Sequence, residues 1–567
     1  MTHPVVAGDV SANPACLRAD AARRFTIEAS VEQLLLVASL FFALAANQPF
    51  LAAALRGRDG SDPSTWGFAL AVIVWLAALH FVLMTVVANR WIVKPLLTVL
   101  IIASALASYY ITRYGIFLDA TMMRNVLHTD WGEARELLAL SLLPHLALYA
   151  LLPLWQLSRV RLVPRPWLRA ALHRALALGI ALTLLVGSLL LVFQPFASLL
   201  RNQRETRHLI TPVNVVSSLV TVLAREWRGA ARPRQPIGLD AHAGPDWAAR
   251  TRPMVVVLVV GETARAANWG LNGYTRQTTP ELARLPVLNF RHVSSCGTNT
   301  EVSLPCLFAP LGRHGYDEAR IRGSESLLHV LARAGVAVHW RDNQAGCKGV
   351  CDGLSNDHVQ PLNAPGLCSD GHCFDEGLLQ GLDRRLAQAE GTQLLVLHMI
   401  GSHGPSYFRR YPPTFAHFAP ACEDDDLQHC TREQIVNAYD NTLLYTDHVL
   451  AQLTAQLRAH GAIDSALLYV SDHGESLGEN RLFLHGMPYA IAPEVQTRVP
   501  MVMWWSDGFA RSTRLDGACL RHRADEPISH DHVFHTLLGL LDVRTALYDA
   551  RWDVSAACRT EASVPQP

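Results

Sequence analysis

Glu262, Asp342, His403 and the adjacent pair Asp472 and His473 each follow a short apolar run: "VVVLVVG", "VAVHWR", "LLVLHMIGS" and "LLYVS". Polar groups gathered just past the carboxyl ends of strands stand where open α/β sheets build their sites. A carboxylate, an Asp-His couple and further histidines supply the oxygen and nitrogen ligands that zinc accepts, so at least one metal is implied. Nearby, "SSCGTNTEVSLPC" from Ser294 to Cys306 holds two threonines between two cysteines. A threonine hydroxyl is a poor nucleophile at neutral pH, but coordination to a divalent metal favours its alkoxide and can orient it toward phosphorus. Thr300 opens "TEVSLPCLF", which reads as a helix start, where backbone N–H groups and the helix dipole stabilise an alkoxide and an incoming phosphate. Thr298 stands two residues too early for that place. The competing reading of Thr300 is an ordinary N-cap, and of each other residue taken singly, a solvated loop position.

The elements that must hold these groups read as an α/β domain. Buried strands are expected at "MVVVLVVGE", "GVAVHWRDN", "LLVLHMIGSHG", "ALLYVSDHGES" and "RVPMVMWW". Helical patterns lie between them at Ser324 to Ala334, Glu433 to His460 and His530 to Leu541. The alternation predicts a mainly parallel sheet flanked by helices.

Ahead of this domain the chain is of another kind. Of 567 residues half are apolar and 17% charged, with formal net charge +0, and there is no long basic run, so nothing suggests nucleic-acid binding. Five apolar blocks are long enough to span a bilayer: Leu34 to Leu51, Trp66 to Ala88, Pro95 to Ile111, Leu137 to Leu157 and Ala170 to Phe193. Arg18, Arg23 and Arg24, then Arg90 and Lys94, then Arg159, Arg161, Arg165 and Arg169 mark the cytoplasmic segments. The acids Asp59, Asp62, Asp119, Asp130, Glu133 and Glu136 lie in the outer loops. The first block reads as an uncleaved anchor, despite the small residues Ala43 to Ala46. The expected organisation is a cytoplasmic tail over 1–30, a five-helix transmembrane domain over 31–193, a bridging amphipathic segment over 194–253 at the membrane surface, and a catalytic domain over 254–560 outside the cytoplasm.

Cysteine usage fits that topology. Ten of eleven cysteines follow residue 295, and eight form local couples: Cys296 with Cys306, Cys347 with Cys351, Cys368 with Cys373, and Cys422 with Cys430. In an oxidising compartment these read as disulfides; zinc is the alternative for "CKGVC" and "CSDGHC", which lack paired CxxC spacing. Cys519 and Cys558 are candidates for a fifth bridge, and Cys16 for a free cytoplasmic thiol.

Taken together, "GETARAANWGLNGYTRQTTP", "CGTNTEVSLPC", "RDNQAGCKGVCD", "HMIGSHGP", "SDHGESLGEN" and "FLHGMP" closely resemble the membrane phosphoethanolamine transferases that modify lipid A, the polymyxin-resistance enzymes among them. The resemblance spans nearly the whole chain and implies five spans followed by a periplasmic domain similar to alkaline phosphatases and sulfatases. It implies Thr300 as nucleophile, zinc ligands at Glu262, Thr300, Asp472 and His473, and Lys348, His403 and His485 as holders of phosphate or of a second zinc. The histidines would also serve in proton transfer. In "RNVLHTDWGE" it implies lipid contacts from Asn125, Thr129 and Glu133, whose spacing would align them on one helical face. Ala345 departs from the serine of some relatives. The implied reaction takes phosphoethanolamine from phosphatidylethanolamine to a lipid A phosphate through a threonine-linked intermediate, in the bacterial inner membrane. The alternatives are a core sugar or periplasmic glucan as acceptor, a phosphoglycerol transferase, and a catalytically silent sensor or assembly protein. The intact Glu262, Thr300, Asp472 and His473 argue against the last.

Overall fold

The computed structural model describes residues 26–129, 131–230, 233–359, 366–369 and 372–559. Cys16, Arg18, Arg23 and Arg24 of the expected tail, and Asp130 of the outer loop, lie outside the described residues. The chain packs as two units: Met1–Arg113 with Leu140–Ser217, and Tyr114–Ala139 with Ser218–Pro567.

The first unit is helical. Among its described residues Pro63–Val87, Val93–Tyr114 and Trp167–Leu191 are long and apolar enough to cross a membrane, although Tyr114 itself falls in the second unit. A fourth candidate is the pair Val31–Ala46 and Gln48–Leu55, bent by 57°. The bend falls at Asn47, whose side-chain amide donates to the carbonyls of Phe42 (2.8 Å) and Thr211 (2.5 Å) and accepts from the Thr211 N–H (3.0 Å). A broken helix survives in an apolar setting only when the freed backbone groups find such partners. The fourth block, Leu137 to Leu157, forms the helix Leu142–Arg159, through a π segment at Ala147–Leu151. It begins five residues later than its hydropathy, since 137–141 is turn and irregular chain, and it falls short of the length and apolarity of the other candidates. The connection after Phe193 includes the helix Val213–Ala230, along which Val216, Val220, Leu223 and Trp227 are exposed at helical spacing.

The second unit is built on an eight-stranded sheet. In chain order its strands are β1 (Met254–Gly261), β2 (Leu288–Ser294), β3 (Ala337–Asp342), β4 (Ser355–His358), β5 (Thr392–His398), β6 (Asp464–Ser471), β7 (Arg498–Trp505) and β8 (Ile528–Ser529). Their spatial order is β8-β2-β7-β6-β1-β5-β3-β4, and only β7 runs against the rest. Every residue of β1 and of β6 is buried, the pattern of central parallel strands covered on both faces. β2, β4 and β8 join the five strands read from sequence. "SNDH" of β4 carries no apolar residue and sits at the sheet edge, and β8 is two residues long, so neither leaves a hydrophobic signature.

Five helices of this unit matter for the site: α1 (Ala120–His128), α2 (Trp131–Glu136), α3 (Thr300–Leu307), α4 (Arg432–Ala459) and α5 (Asp531–Leu541). The long α4 starts at a capping box between Thr431 and Gln434 and packs its buried face under the sheet's carboxyl ends, where the Tyr439 hydroxyl donates to the Thr263 carbonyl (2.7 Å). Disulfides join Cys296 to Cys306, Cys347 to Cys351, Cys368 to Cys373, Cys422 to Cys430 and Cys519 to Cys558.

The bridge between Cys296 and Cys306, with a sequence separation of 10, closes the loop that carries Thr300. Closing a loop of that size restricts the unfolded chain by about 3 kcal/mol. Replacing both cysteines by serine is therefore expected to lower the unfolding midpoint of the full chain in urea or on heating. An unchanged midpoint would show that the bridge does not hold this loop.

Candidate active site and metal centre

The carboxyl ends of β1 and β6 lie side by side, with Gly261 opposite Ser471, so Glu262 and Asp472 leave the sheet as neighbours. Gly261 is required there: a Cβ would lie 2.5 Å from the Tyr469 hydroxyl oxygen. Gly401, at φ +51°, lets the loop after β5 approach Glu262, and the Ser402 N–H donates to the Glu262 carbonyl at 3.0 Å.

Glu262, Asp472 and His473 are the one group among the described residues whose ligand atoms all lie within 4.8 Å of one another. His473 Nε2 is 3.2 Å from Glu262 Oε1 and 3.3 Å from Asp472 Oδ2. His473 Nδ1 stands 2.9 Å from the Gly474 carbonyl, which fixes the hydrogen on Nδ1 and leaves the Nε2 lone pair facing the two carboxylates. Asp472 Oδ1 accepts from the backbone N–H groups of Thr263 and His473, while its Oδ2 is buried without a hydrogen-bond partner. Three sets of lone pairs thus converge in a dry spot. Burial, and then the Asp472 charge, push the Glu262 carboxyl well above its usual range. A divalent cation relieves both the repulsion and the orphaned oxygen, so the residues fit a metal.

The fourth member is Thr300. Asn299 is the N-cap of α3, its side chain accepting from the Val302 N–H, so the Thr300 hydroxyl is not spent on capping. Thr300 Oγ1 donates instead toward Glu262, at 3.0 Å from Oε2 and 3.2 Å from Oε1, and lies 3.4 Å from His473 Nε2. Thr298 turns elsewhere: its hydroxyl donates to the Met487 carbonyl (2.6 Å) and its carbonyl accepts from Gly486 N–H (2.8 Å), which pins the loop bearing His485.

A row of imidazoles flanks the four. The rings of His473 and His485 are 4.4 Å apart and those of His485 and His403 5.6 Å. His485 Nδ1 faces Glu475 Oε2 at 3.2 Å. Burial, helped by the positive field of neighbours, holds His403 well below the ordinary imidazole range, so it is neutral. Lys348 sits beside them rather than among the convergent ligands, its Nζ 3.3 Å from Glu301 Oε1.

Asn125, Thr129 and Glu133 do not share one helix face. α1 ends at His128, where the Thr129 hydroxyl donates back to the Asn125 carbonyl (2.7 Å), and Glu133 belongs to a separate helix, α2. A hydroxyl that closes a helix end competes with continuation of the helix. Glu133 on α2 nevertheless reaches the site, with Oε1 3.7 Å from His403 Nε2 and 3.4 Å from Gln344 Nε2. Gln344 also stands 3.4 Å from Glu262 Oε2.

Several participants carry no sequence signal of their own. Glu301, buried next to Thr300, faces Lys348, Arg322 and His128; burial works to raise its carboxyl, but those cations bring it below the usual range. His398, the last residue of β5, meets Asp342 through Nδ1 at 2.7 Å, and its Nε2 is buried with no hydrogen-bond partner. Burial pulls His398 down, yet the Asp342 charge leaves it above the ordinary imidazole range. His530 Nδ1 accepts from the Cys296 N–H (3.1 Å) and its Nε2–H donates to the Ser471 carbonyl (2.9 Å), tying the Thr300 loop to β6. Burial lowers His530 to about 4, so it stays the neutral tautomer those two bonds require. Only the position of His530, at the start of a helical pattern, could have drawn notice.

The family description "Sulfatase" matches residues 254–543, and "Phosphoethanolamine transferase EptA/EptB" matches residues 76–227. The chain is 38% identical to phosphoethanolamine transferase EptA of Escherichia coli K12, over 93% of this chain and 96% of that one. It is 37% identical to phosphatidylethanolamine transferase Mcr-1 of Escherichia coli, over 91% and 96%. The solved integral membrane lipooligosaccharide phosphoethanolamine transferase A of Neisseria meningitidis superposes with a TM-score of 0.90 at 38% identity, covering 94% of this chain and all of that one.

Glu262→Gln and Asp472→Asn are each expected to cut retained metal by roughly tenfold or more after dialysis against dilute metal, read by elemental mass spectrometry. A metal must displace the proton that the raised Glu262 holds, so affinity rises with pH and falls as Glu262 protonates. Calorimetric titration in two buffers of different ionisation heat should register that proton release; retained metal in both variants would remove the site.

Proposed function

Because the chain belongs to the EptA and Mcr type of phosphoethanolamine transferases, with a sulfatase-family catalytic domain, we propose that it transfers phosphoethanolamine from phosphatidylethanolamine to a phosphate of lipid A. The observation that carries this reading is the Thr300 hydroxyl, freed from capping by Asn299 and held 3.0 Å from Glu262 at the edge of a fitted metal site. Glu262, Asp472, His473 and the Thr300 oxygen form the nitrogen and oxygen set that suits tetrahedral zinc. When bound, zinc lowers the pKa of the threonine hydroxyl and offsets charge on phosphoryl oxygens.

The remaining chemistry belongs to the chain. Glu262 Oε2, freed of its own proton, takes the Thr300 proton as Oγ1 bonds to phosphorus; the bond to diacylglycerol breaks, and His485 protonates the departing oxygen. The N-terminus of α3 directs backbone N–H groups at the phosphoryl oxygens. In the second half, an oxygen of the lipid A phosphate attacks phosphorus, the bond to Oγ1 breaks, and Thr300 recovers its proton. Neutral His403 is suited to accept the acceptor's proton at this stage. Lys348 with His403 and His485 holds phosphate, or a second zinc in place of the substrate. Asn125, Thr129 and Glu133 contact the donor lipid, Glu133 being an anion suited to the ethanolamine ammonium.

Both lipids stay in the bilayer, which accounts for the spans. In this reading there are five, with the N-terminus in the cytoplasm of a bacterial inner membrane and the disulfide-bearing catalytic domain in the periplasm. Ethanolamine amines added to lipid A offset its phosphate charge and weaken the hold of cationic peptides.

Intact-mass spectrometry of lipid A, from a host expressing the chain and from one expressing Thr300→Ala at equal level, tests the reading. A phosphoethanolamine increment is expected with the unaltered chain, and a loss of about a thousandfold or more in the variant. Unmodified lipid A from folded, metal-loaded protein would reject lipid A as acceptor and turn attention to a core sugar or a periplasmic glucan.

A further inference from the structure

Glu136, the last residue of α2, is an acid whose side chain is 1% exposed, and its Oε2 is paired with Nη2 of Arg410, itself 2% exposed. The same guanidinium donates through Nε to the backbone carbonyl of His403 at 2.7 Å. Glu136 Oε1 has no hydrogen-bond partner, and His372 Nε2 stands 3.9 Å from it. One arginine therefore joins two pieces of chain far apart in sequence, the end of α2 and the loop after β5.

Glu133 precedes Glu136 by three residues on α2, so the two carboxylates share a helix face. While Glu136 is fastened to the arginine that holds the His403 carbonyl, Glu133 is brought to 3.7 Å from the His403 ring. A buried ion pair seldom stabilises a fold more than packed hydrocarbon of the same volume would, and its best-attested use is to fix register. The planar arginine fork suits this, since it serves a carboxylate and a carbonyl at once in fixed directions, which a lysine ammonium does not.

We propose that the Glu136–Arg410 pair is a positioning element for substrate binding: it sets the height of α2 so that Glu133 and His403 face the donor headgroup together. This rests on the reading of Glu133 and His403 as members of the substrate site. Neither Glu136 nor Arg410 touches the reacting atoms, so their loss should act on binding of the donor rather than on the chemical step.

The test is initial-rate kinetics of the full chain in detergent micelles, with phosphatidylethanolamine varied and lipid A fixed, for Glu136→Gln, Arg410→Lys and Glu133→Gln, with metal content measured for each. Glu136→Gln and Arg410→Lys are expected to raise KM for phosphatidylethanolamine by about tenfold or more, with kcat within about threefold and metal content unchanged. A merely structural pair would lower the active fraction, and so kcat, at constant KM; that outcome overturns the proposal. Should Glu136→Gln fail to fold, Arg410→Lys, which keeps the charge but not the fork, decides by the same split. If Glu133→Gln raises KM while the other two do not, only the positioning role is lost. If Glu133→Gln leaves KM unchanged, the substrate-site reading fails and the proposal falls with it.

Discussion

The structure depends on an electrostatic conflict: the carboxylates of Glu262 and Asp472 and the lone pair of His473 Nε2 meet within hydrogen-bonding distances in a place closed to water. Left alone, that arrangement repels itself, and the raised Glu262 carboxyl and the orphaned Asp472 oxygen are two signs of the same strain. Such a cluster persists only because its backbone is over-determined by the parallel pairing of β1 and β6 and by the Thr263 and His473 N–H groups on Asp472. The strain is what gives the site affinity for a cation, and the Thr300 hydroxyl is the nearest side-chain donor directed into it, with Gln344 Nε2 farther off.

The surroundings divide the work between fixing and reacting. His530 holds the Thr300 loop to β6, the Cys296–Cys306 bridge closes that loop, and Thr298 fastens the loop of His485. These restraints hold the Thr300 hydroxyl beside Glu262, the kind of preorganisation a functional site requires. Burial and neighbouring charge keep His403 neutral, while His485 is held by Glu475 through Nδ1.

Much of this was legible in the residues. The strands that carry Glu262 and Asp472 announce themselves as unbroken apolar runs because central parallel strands are buried on both faces, and the polar residue that ends each run stands out. What escaped were contacts made by tertiary packing alone. Glu301, Gln344, His398 and Arg410 are common residue types in ordinary contexts, and their importance lies in partners tens or hundreds of positions away. The single helix expected through Asn125, Thr129 and Glu133 failed for a local reason, a threonine hydroxyl that bonds its own turn and ends α1. The membrane blocks were visible as hydropathy, but hydropathy does not reveal a bend at Asn47 or a late helix start at Leu142.

One consequence of the packing bears on how a transferase serves two lipids with one nucleophile. Residues 114–139 come between apolar helices in sequence, yet they fold with the sheet and not with the first unit. The segment expected to contact lipid therefore travels with Thr300, fastened by Glu136 at one end and by the pairing of Arg124 with Glu318 at the other. In the proposed reaction this design would let donor and acceptor visit in turn without the contact residues being redrawn, because α1 and α2 fold in one unit with the Thr300 loop. The proposed acceptor would then need only a phosphate oxygen within reach of phosphorus, its discrimination left to surfaces outside the shared donor site.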